Sequence, residues 1–198
     1  MRAFGRRRFI GASVAAVCVG CASNDVPTLR PPTTGSLPDG AADPVLPGRD
    51  TTVEVGTLDE VRADAADAPL YVPAAKAWLV VLADDEAAMM VGVADVALRQ
   101  GLEHGLLALY EKCPHLGCRV PYCESSGWFE CPCHGAHFTR AGEHRTGPGP
   151  RGLDPLPVLV DGDMVAIGVA ERIEGAPVGT VLIEQPATGP HCVDGGSG

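Results

Sequence analysis

Two short stretches decide the fold: CPHLGC at residues 113–118 and CPCHG at residues 131–135. Each combines a cysteine with a histidine, as Cys-x-His in the first and Cys-x-x-His in the second. Two thiolates and two neutral imidazoles can therefore converge on one metal site. The glycines and prolines around them favour tight loops, whose main-chain amides can point at a negatively charged group.

Taken alone, two cysteines and two histidines also suit structural zinc. Two further cysteines argue against zinc, because Cys118 lies in the first stretch and Cys133 in the second, where they could bridge the loops by a disulfide. Such a bond would persist only outside the reducing cytosol. Zinc is the alternative that these residues leave open.

The two stretches, 12 residues apart, resemble the two boxes of the high-potential Rieske proteins of cytochrome bc and b–f complexes. The sequence GPGP at residues 147–150 resembles the proline loop that covers the cluster in that family. The resemblance is strongest over residues 107–160. It implies an all-β fold, a Rieske-type antiparallel β-sandwich with a small two-loop cluster-binding subdomain.

The resemblance also implies the cofactor, one [2Fe–2S] cluster per chain. Cys113 and Cys131 would bind one iron, and His115 and His134 the other. His134 would lie at the edge that faces a quinol. Neutral imidazoles in place of two thiolates make such a cluster less negative, so that it accepts an electron more readily.

Four further cysteines are interpreted as two disulfides. The resemblance assigns the pair Cys118–Cys133 to the site. Cys123 lies between the boxes and Cys192 near the C-terminus, and we expect a second disulfide between them that ties down the tail. Free thiols are the alternative for this second pair.

Two positions depart from the family pattern. High-potential members usually have serine two residues after the second histidine ligand and tyrosine two residues further on, where this chain has Ala136 and Phe138. Those hydroxyls donate hydrogen bonds to sulfur and stabilise the reduced form. Their replacement predicts a lower potential, which suits menaquinol as the quinol.

Other histidines and aromatic residues receive structural interpretations. His137 and His144 match no ligand position, and we expect solvated loop residues. His104 is expected at the surface. Trp128 and Phe129 are expected in the core, on a strand that leads to Cys131.

The N-terminus reads as an export signal. Arg6-Arg7-Arg8-Phe9-Ile10 resembles the twin-arginine signal and precedes an apolar run too short to span a bilayer. Cys21 lies where a bacterial lipoprotein would be lipidated; an uncleaved anchor is the alternative. We expect a signal at 1–21, a proline-rich linker at 22–48, a Rieske domain at 49–185 with its cluster-binding part at about 107–155, and a tail at 186–198.

Local patterns predict secondary structure in the folded part. Strands are expected at 51–55, 70–72, 77–82 and 106–110, a helix opened by a capping box at Thr57 and ending about residue 66, and a hairpin around Asp161-Gly162. The segment 84–104 is ambiguous, with partial helix as one interpretation.

The net charge and the protein class limit the functions to be expected. A formal charge of −10 leaves no basic stripe for phosphates, so nucleic-acid binding is not expected. The expected function is one-electron transfer as the iron–sulfur subunit of a bacterial quinol:cytochrome c reductase, tethered at the extracytoplasmic face of the cell membrane. Its partners would be a cytochrome b-type or other redox subunit, quinol and a c-type cytochrome. The alternatives are the small Rieske subunit of an exported molybdenum oxidase, such as arsenite oxidase, and a free-standing lipoprotein electron carrier.

Overall fold

A computed structural model describes residues 51–195 of the chain. The described residues form eleven strands and three helices: β1 (Thr52–Thr57), α1 (Leu58–Asp64), β2 (Leu70–Val72), β3 (Ala77–Val81), α2 (Asp84–Val91), α3 (Val96–Glu103), β4 (Leu106–Tyr110), β5 (Tyr122–Cys123), β6 (Trp128–Glu130), β7 (His137–Phe138), β8 (His144–Thr146), β9 (Pro155–Leu156), β10 (Val158–Asp161) and β11 (Met164–Gly168). The expected signal, its Cys21 and the linker lie outside the described residues. No helix within 51–195 is long and apolar enough to cross a membrane.

The strands form three sheets, in which every pair is antiparallel. Their orders are β1-β11-β10, β2-β3-β4-β9 and β5-β6-β7-β8. The first sheet joins the beginning of the described chain to its later part, since Thr52 pairs with Gly168. The predicted all-β class is confirmed, with three short helices added to it.

The first two sheets share an apolar core. Leu79 and Ala108 from the second sheet pack in one buried cluster with Val165 and Ile167 from the first. Side chains alternate across a strand. In β4, Leu106 and Ala108 face this core, while the two leucines between and after them face the opposite side. Such alternation is what a strand buried on both faces requires.

The opposite face of the second sheet carries α2, α3 and the third sheet, whereas α1 packs in the first core through Val61. Leu102 of α3 packs there with Leu107, Phe129 and Phe138. The ambiguous segment 84–104 is thus largely helical, as α2 and α3. Asp95 caps α3 by accepting a hydrogen bond from the Ala97 amide at 2.9 Å.

The local signals for α1 and the last hairpin are confirmed. Thr57 Oγ1 accepts from the Glu60 amide at 3.3 Å, and the Glu60 carboxylate accepts from the Thr57 amide at 2.9 Å, which forms the capping box. The helix ends at Asp64, two residues before the expected end. β10 and β11 turn at Gly162, whose φ of 63° is the left-handed conformation that favours glycine.

Candidate metal centre

The two cysteine-rich stretches form loops with the same backbone frame. Loop 1 (residues 113–118) follows β4, and loop 2 (residues 131–136) joins β6 to β7. In loop 1 the Cys113 amide donates to the Cys118 carbonyl at 2.7 Å, and in loop 2 the Cys131 amide donates to the Ala136 carbonyl at 2.8 Å. Each loop is therefore closed across six residues, with its first cysteine at the base.

A glycine at the fifth position completes each frame. Gly117 donates its amide to the Cys113 carbonyl at 2.9 Å, and Gly135 donates to Cys131 at 3.0 Å. Their φ values are 78° and 70°. Non-glycine residues are strained in this conformation, which explains why both boxes carry glycine at the same place.

The two frames pair the expected ligands, thiol with thiol and imidazole with imidazole. Cys113 and Cys131 are free, buried thiols at the base of the loops. His115 is half-buried and His134 is exposed, and their rings meet edge-on with 4.9 Å between centroids. The arrangement presents sulfur inside and imidazole at the rim.

Electrostatics of the inner layer favour a cation-bearing group. The pKa of the Cys113 thiol is raised to about 11, mainly by burial and also by neighbouring Cys131, while the amides of His115 and Leu116 act in the opposite direction. Two buried thiols side by side cannot both ionise without a compensating positive charge. Ferric or ferrous iron would supply that charge, so this donor set fits a Rieske [2Fe–2S] cluster. The loop amides are placed to stabilise sulfur that carries negative charge.

A disulfide clamps the two loops. The structure joins Cys118 of loop 1 to Cys133 of loop 2, with 6.6 Å between their Cα atoms. The sulfur of Cys131 lies within 4.8 Å of both bonded sulfurs. The clamp is therefore part of the wall of the site.

The proline loop (residues 147–150) packs on loop 2 without space for a side chain. A Cβ added to Gly147 would lie 2.4 Å from the Gly135 carbonyl oxygen and 2.5 Å from Ala136 Cα. A Cβ on Gly149 would lie 2.7 Å from the ring of His144. The two glycines let this loop lie directly on its neighbours.

The two positions that depart from the family pattern lie in the interior. Ala136 and Phe138 are both buried, and neither side chain carries a hydrogen-bond donor. The ring of Phe138 meets the edge of His144, with 5.6 Å between centroids. The wall that these two residues form is apolar.

The expectation that His137 and His144 are solvated loop residues is wrong. Both are buried, His137 in β7 and His144 in β8. His137 Nε2 lies 2.9 Å from the Val193 carbonyl, and His144 Nε2 lies 3.0 Å from the Gly147 carbonyl. The tail and the proline loop cover the two imidazoles and supply their partners.

The tail is fastened to the third sheet by a second disulfide, between Cys123 and Cys192. This is the pairing expected from the sequence. A main-chain contact strengthens the attachment: the Thr188 amide donates to the Ser126 carbonyl at 2.9 Å. Phe129 is fully buried, as expected, whereas Trp128 is half-buried, and His104, expected at the surface, is half-buried too.

Sequence reasoning missed two residues beside the site. Glu130 immediately precedes Cys131 and is fully buried, and His191 of the tail contacts it at 2.6 Å. No periodicity marks a buried glutamate. The one available signal was the position of His191 next to a cysteine with a distant bonding partner.

Comparison with known proteins agrees with this geometry. Residues 52–158 match the Rieske [2Fe-2S] domain family. The ubiquinol-cytochrome c reductase iron-sulfur subunit of Rhodobacter capsulatus is 46% identical over 67 residues, which cover 31% of this chain and 34% of that protein. The carotenoid phi-ring synthase of Chlorobaculum tepidum is 30% identical over 146 residues, which cover 74% of this chain and 21% of that enzyme.

A solved structure is similar as well. The cyanobacterial plasma membrane Rieske protein from Synechocystis PCC 6803 is 25% identical, with a TM-score of 0.39, over 58% of this chain and 97% of that one. The chain thus spans about a third or less of the two relatives matched by sequence. Since the family match covers more than half of its length, the chain belongs to the Rieske [2Fe-2S] domain family.

Proposed function

We propose that this chain transfers single electrons as the iron–sulfur subunit of a bacterial quinol-oxidising complex of the cytochrome bc type. Cys113, Cys131, His115 and His134 hold one [2Fe–2S] cluster per chain. Such a cluster, when bound, accepts and donates one electron. The observation that carries the proposal is the arrangement of two buried thiols beneath two imidazoles at an accessible rim.

The rim has the properties of a contact surface for a redox partner. His134 is exposed, so its outer nitrogen can exchange a proton with a quinol hydroxyl while the thiols stay away from water. Beside it, Leu116 exposes 70% of its surface at the tip of loop 1. We propose that this leucine, at the tip of a proposed cluster loop, contacts an apolar surface of the partner.

The location belongs to the same proposal. The arginine-rich start of the sequence and the oxidised cysteine pairs support export and tethering at the extracytoplasmic face of the membrane. Electrons would then pass from quinol to a c-type cytochrome on that side. The cytochrome-complex relative named above supports the quinol-oxidising assignment.

The first test is the cofactor. The purified full chain should contain two irons and two acid-labile sulfides and give a Rieske-type EPR signal after reduction. One zinc per chain without an EPR signal would refute the cluster.

The second test is the partner surface, with the native complex purified from membranes. Leu116→Asp should lower quinol:cytochrome c reductase turnover at least tenfold and leave the EPR signal unchanged, because the charge blocks apolar docking at the rim. Met164→Asp is the matched control, since Met164 is also exposed, at 39%, and lies on the β10–β11 hairpin of the first sheet, whereas loop 1 follows the second sheet and loop 2 lies in the third. Equal turnover of both variants would contradict docking at loop 1.

A second candidate is electron delivery to a different oxidoreductase, either as a small subunit of an exported molybdenum oxidase or as a free-standing carrier. One observation favours this class: a relative that matches 74% of the chain is named as a carotenoid ring synthase and not as a cytochrome subunit. Identifying the proteins that co-purify with the tagged full chain separates the candidates. A b-type cytochrome supports the first, and any other redox enzyme supports the second.

A further inference from the structure

Three chemically active side chains meet beneath the tail, outside the four proposed cluster ligands. Glu130 ends β6, His137 begins β7, and His191 lies in the tail. One carboxylate oxygen and one nitrogen from each imidazole lie within 4.8 Å of one another. We refer to Glu130, His137 and His191 as the tail cluster.

Glu130 is a fully buried carboxylate held by a complete set of donors. Ser126 Oγ donates at 2.7 Å, the Val193 amide at 2.8 Å, and His191 Nδ1 lies 2.6 Å away. Buried carboxylates require a paired charge or a metal ion. His191 is the imidazole that is hydrogen-bonded to this carboxylate, and it is itself partly exposed.

His137 contributes a nitrogen with nothing to bind. Its Nε2 lies 2.9 Å from the Val193 carbonyl, which can only accept, so Nε2 carries the proton and Nδ1 carries a lone pair. That Nδ1 is the one buried side-chain nitrogen or oxygen in residues 51–195 without a hydrogen-bond partner. An unpartnered buried polar atom in a native fold calls for a bound water or ion.

This arrangement of His137 is the one that metal ligands adopt. Ligating histidines usually donate their other ring N–H to a carbonyl or carboxylate, which fixes the tautomer and orients the ring. The ring of His137 stacks on His191 with 4.5 Å between centroids, so the partly exposed His191 ring must turn for both lone pairs to reach one ion. Burial lowers the pKa of His137, so its ring is neutral and its lone pair is free at neutral pH.

From these contacts we propose that the tail cluster is a second metal site, which binds one divalent transition-metal ion of the Zn²⁺ class through two imidazoles and one carboxylate. Two histidines and a glutamate are an established zinc ligand set. The ion would take the place of the shared proton between His191 and Glu130 and would use the lone pair of His137. Its positive charge would neutralise the buried carboxylate.

The tail is held in place before any metal binds. Cys192 is covalently bonded to Cys123, and Ser125 Oγ donates to the Pro190 carbonyl at 2.6 Å, so the main chain of His191 is fixed on both sides. A prearranged ligand loses little conformational freedom on binding, which favours affinity. The rival is a water molecule at His137 Nδ1, which would satisfy the lone pair without any metal.

The experiment uses the full chain with its iron content measured. The protein is incubated with ZnCl₂, dialysed into metal-free buffer, and examined by elemental analysis and by zinc X-ray absorption. We expect one retained zinc per chain in addition to the irons, with only nitrogen and oxygen neighbours at about 2.0–2.2 Å. Zinc in the thiol-bearing loops would instead show sulfur at about 2.3 Å.

Variants assign the zinc to the tail cluster. His191→Ala and the isosteric Glu130→Gln should each weaken zinc binding at least tenfold. His104→Ala, at the C-terminal end of α3 where the main chain contacts Arg62, should leave it unchanged. Circular dichroism verifies that each variant is folded. If His191→Ala does not fold, Glu130→Gln alone tests the site. Absence of retained zinc in the wild type, a sulfur shell, or unchanged affinity in both cluster variants would overturn the proposal.

Discussion

Replacing Gly147 by alanine tests whether the proline loop holds loop 2 in place. The new Cβ would lie 2.4 Å from the Gly135 carbonyl oxygen, 2.5 Å from Ala136 Cα and 2.8 Å from Ala136 N. All three are main-chain atoms, so no side-chain rotation relieves the clash. Reaching an ordinary contact of roughly 3.4 Å requires the two loops to separate by about 1 Å, a distortion typical of overpacking.

Two costs add in this variant. Overpacking costs about 1–3 kcal/mol, and the left-handed backbone, with φ of 84°, costs a non-glycine residue about 1–2 kcal/mol. Gly162→Ala is the matched control, because its φ is 63° and its Cβ would meet no atom within 4 Å. It should lose only the backbone term of about 1–2 kcal/mol.

Scanning calorimetry and chelator challenge measure both consequences. For a domain of this size 1 kcal/mol corresponds to roughly 2–4 °C, so Gly147→Ala should melt roughly 2–12 °C below Gly162→Ala. It should also lose visible cluster absorbance faster in the presence of an iron chelator. Equal melting temperatures, or equal rates of iron loss in the two variants, would refute the packing argument.

Three further predictions concern potential, covalent stability and pH. The double variant Ala136→Ser with Phe138→Tyr should raise the midpoint potential by on the order of 100 mV in voltammetry. Each added hydroxyl donates a charge-assisted hydrogen bond, and 1 kcal/mol corresponds to about 43 mV for one electron. An unchanged midpoint would show that other donors already bond the sulfurs. Replacing Cys118 and Cys133 by serine removes a disulfide between residues 15 positions apart, and should destabilise the fold by about 3 kcal/mol in denaturant melts. The same variant should shift or abolish the EPR signal. A signal of wild-type shape at full iron content would contradict a supporting role for the disulfide. Burial lowers the pKa of His137 below its ordinary 6.5, so the unfolded chain binds a proton at this residue more readily than the folded chain. The free energy of unfolding should therefore fall as the pH drops below about 6.5, by at most ~1.4 kcal/mol per pH unit. His137→Gln should show a flatter decline between pH 7 and 5, and the same slope in both proteins would exclude protonation of His137 as the cause.

Much of the fold was predictable because its signals are local. The capping box at Thr57 and the turn at Gly162 depend on residues within four positions of each other, and both formed as expected. The loop frames also follow from the boxes themselves, since each cysteine and its glycine are four positions apart. Local chemistry of this kind is readable from sequence.

The buried histidines were not predictable for the opposite reason. The hydrogen-bond partner of His137 is the Val193 carbonyl, 56 positions later. No sequence pattern around His137 indicates that the C-terminal tail covers it. The same holds for Glu130, whose donors include that tail. A polar residue beside a cysteine box reads as solvated unless the distant covering segment is known.

The pairing of β1 with β11 sets the order in which a ribosome can complete this domain. Thr57 pairs with Met164, 107 positions later, so at about 5–20 residues per second β1 waits roughly 5 to 20 s for its partner. Loop 1 and loop 2 are synthesised during this wait, before the first sheet, which closes the sandwich, can form. Folding of the domain therefore cannot be completed before β11 has been synthesised. A premature stop codon upstream of β11 removes the closing strand of the sandwich, and the loss extends to the whole domain rather than to its last hairpin.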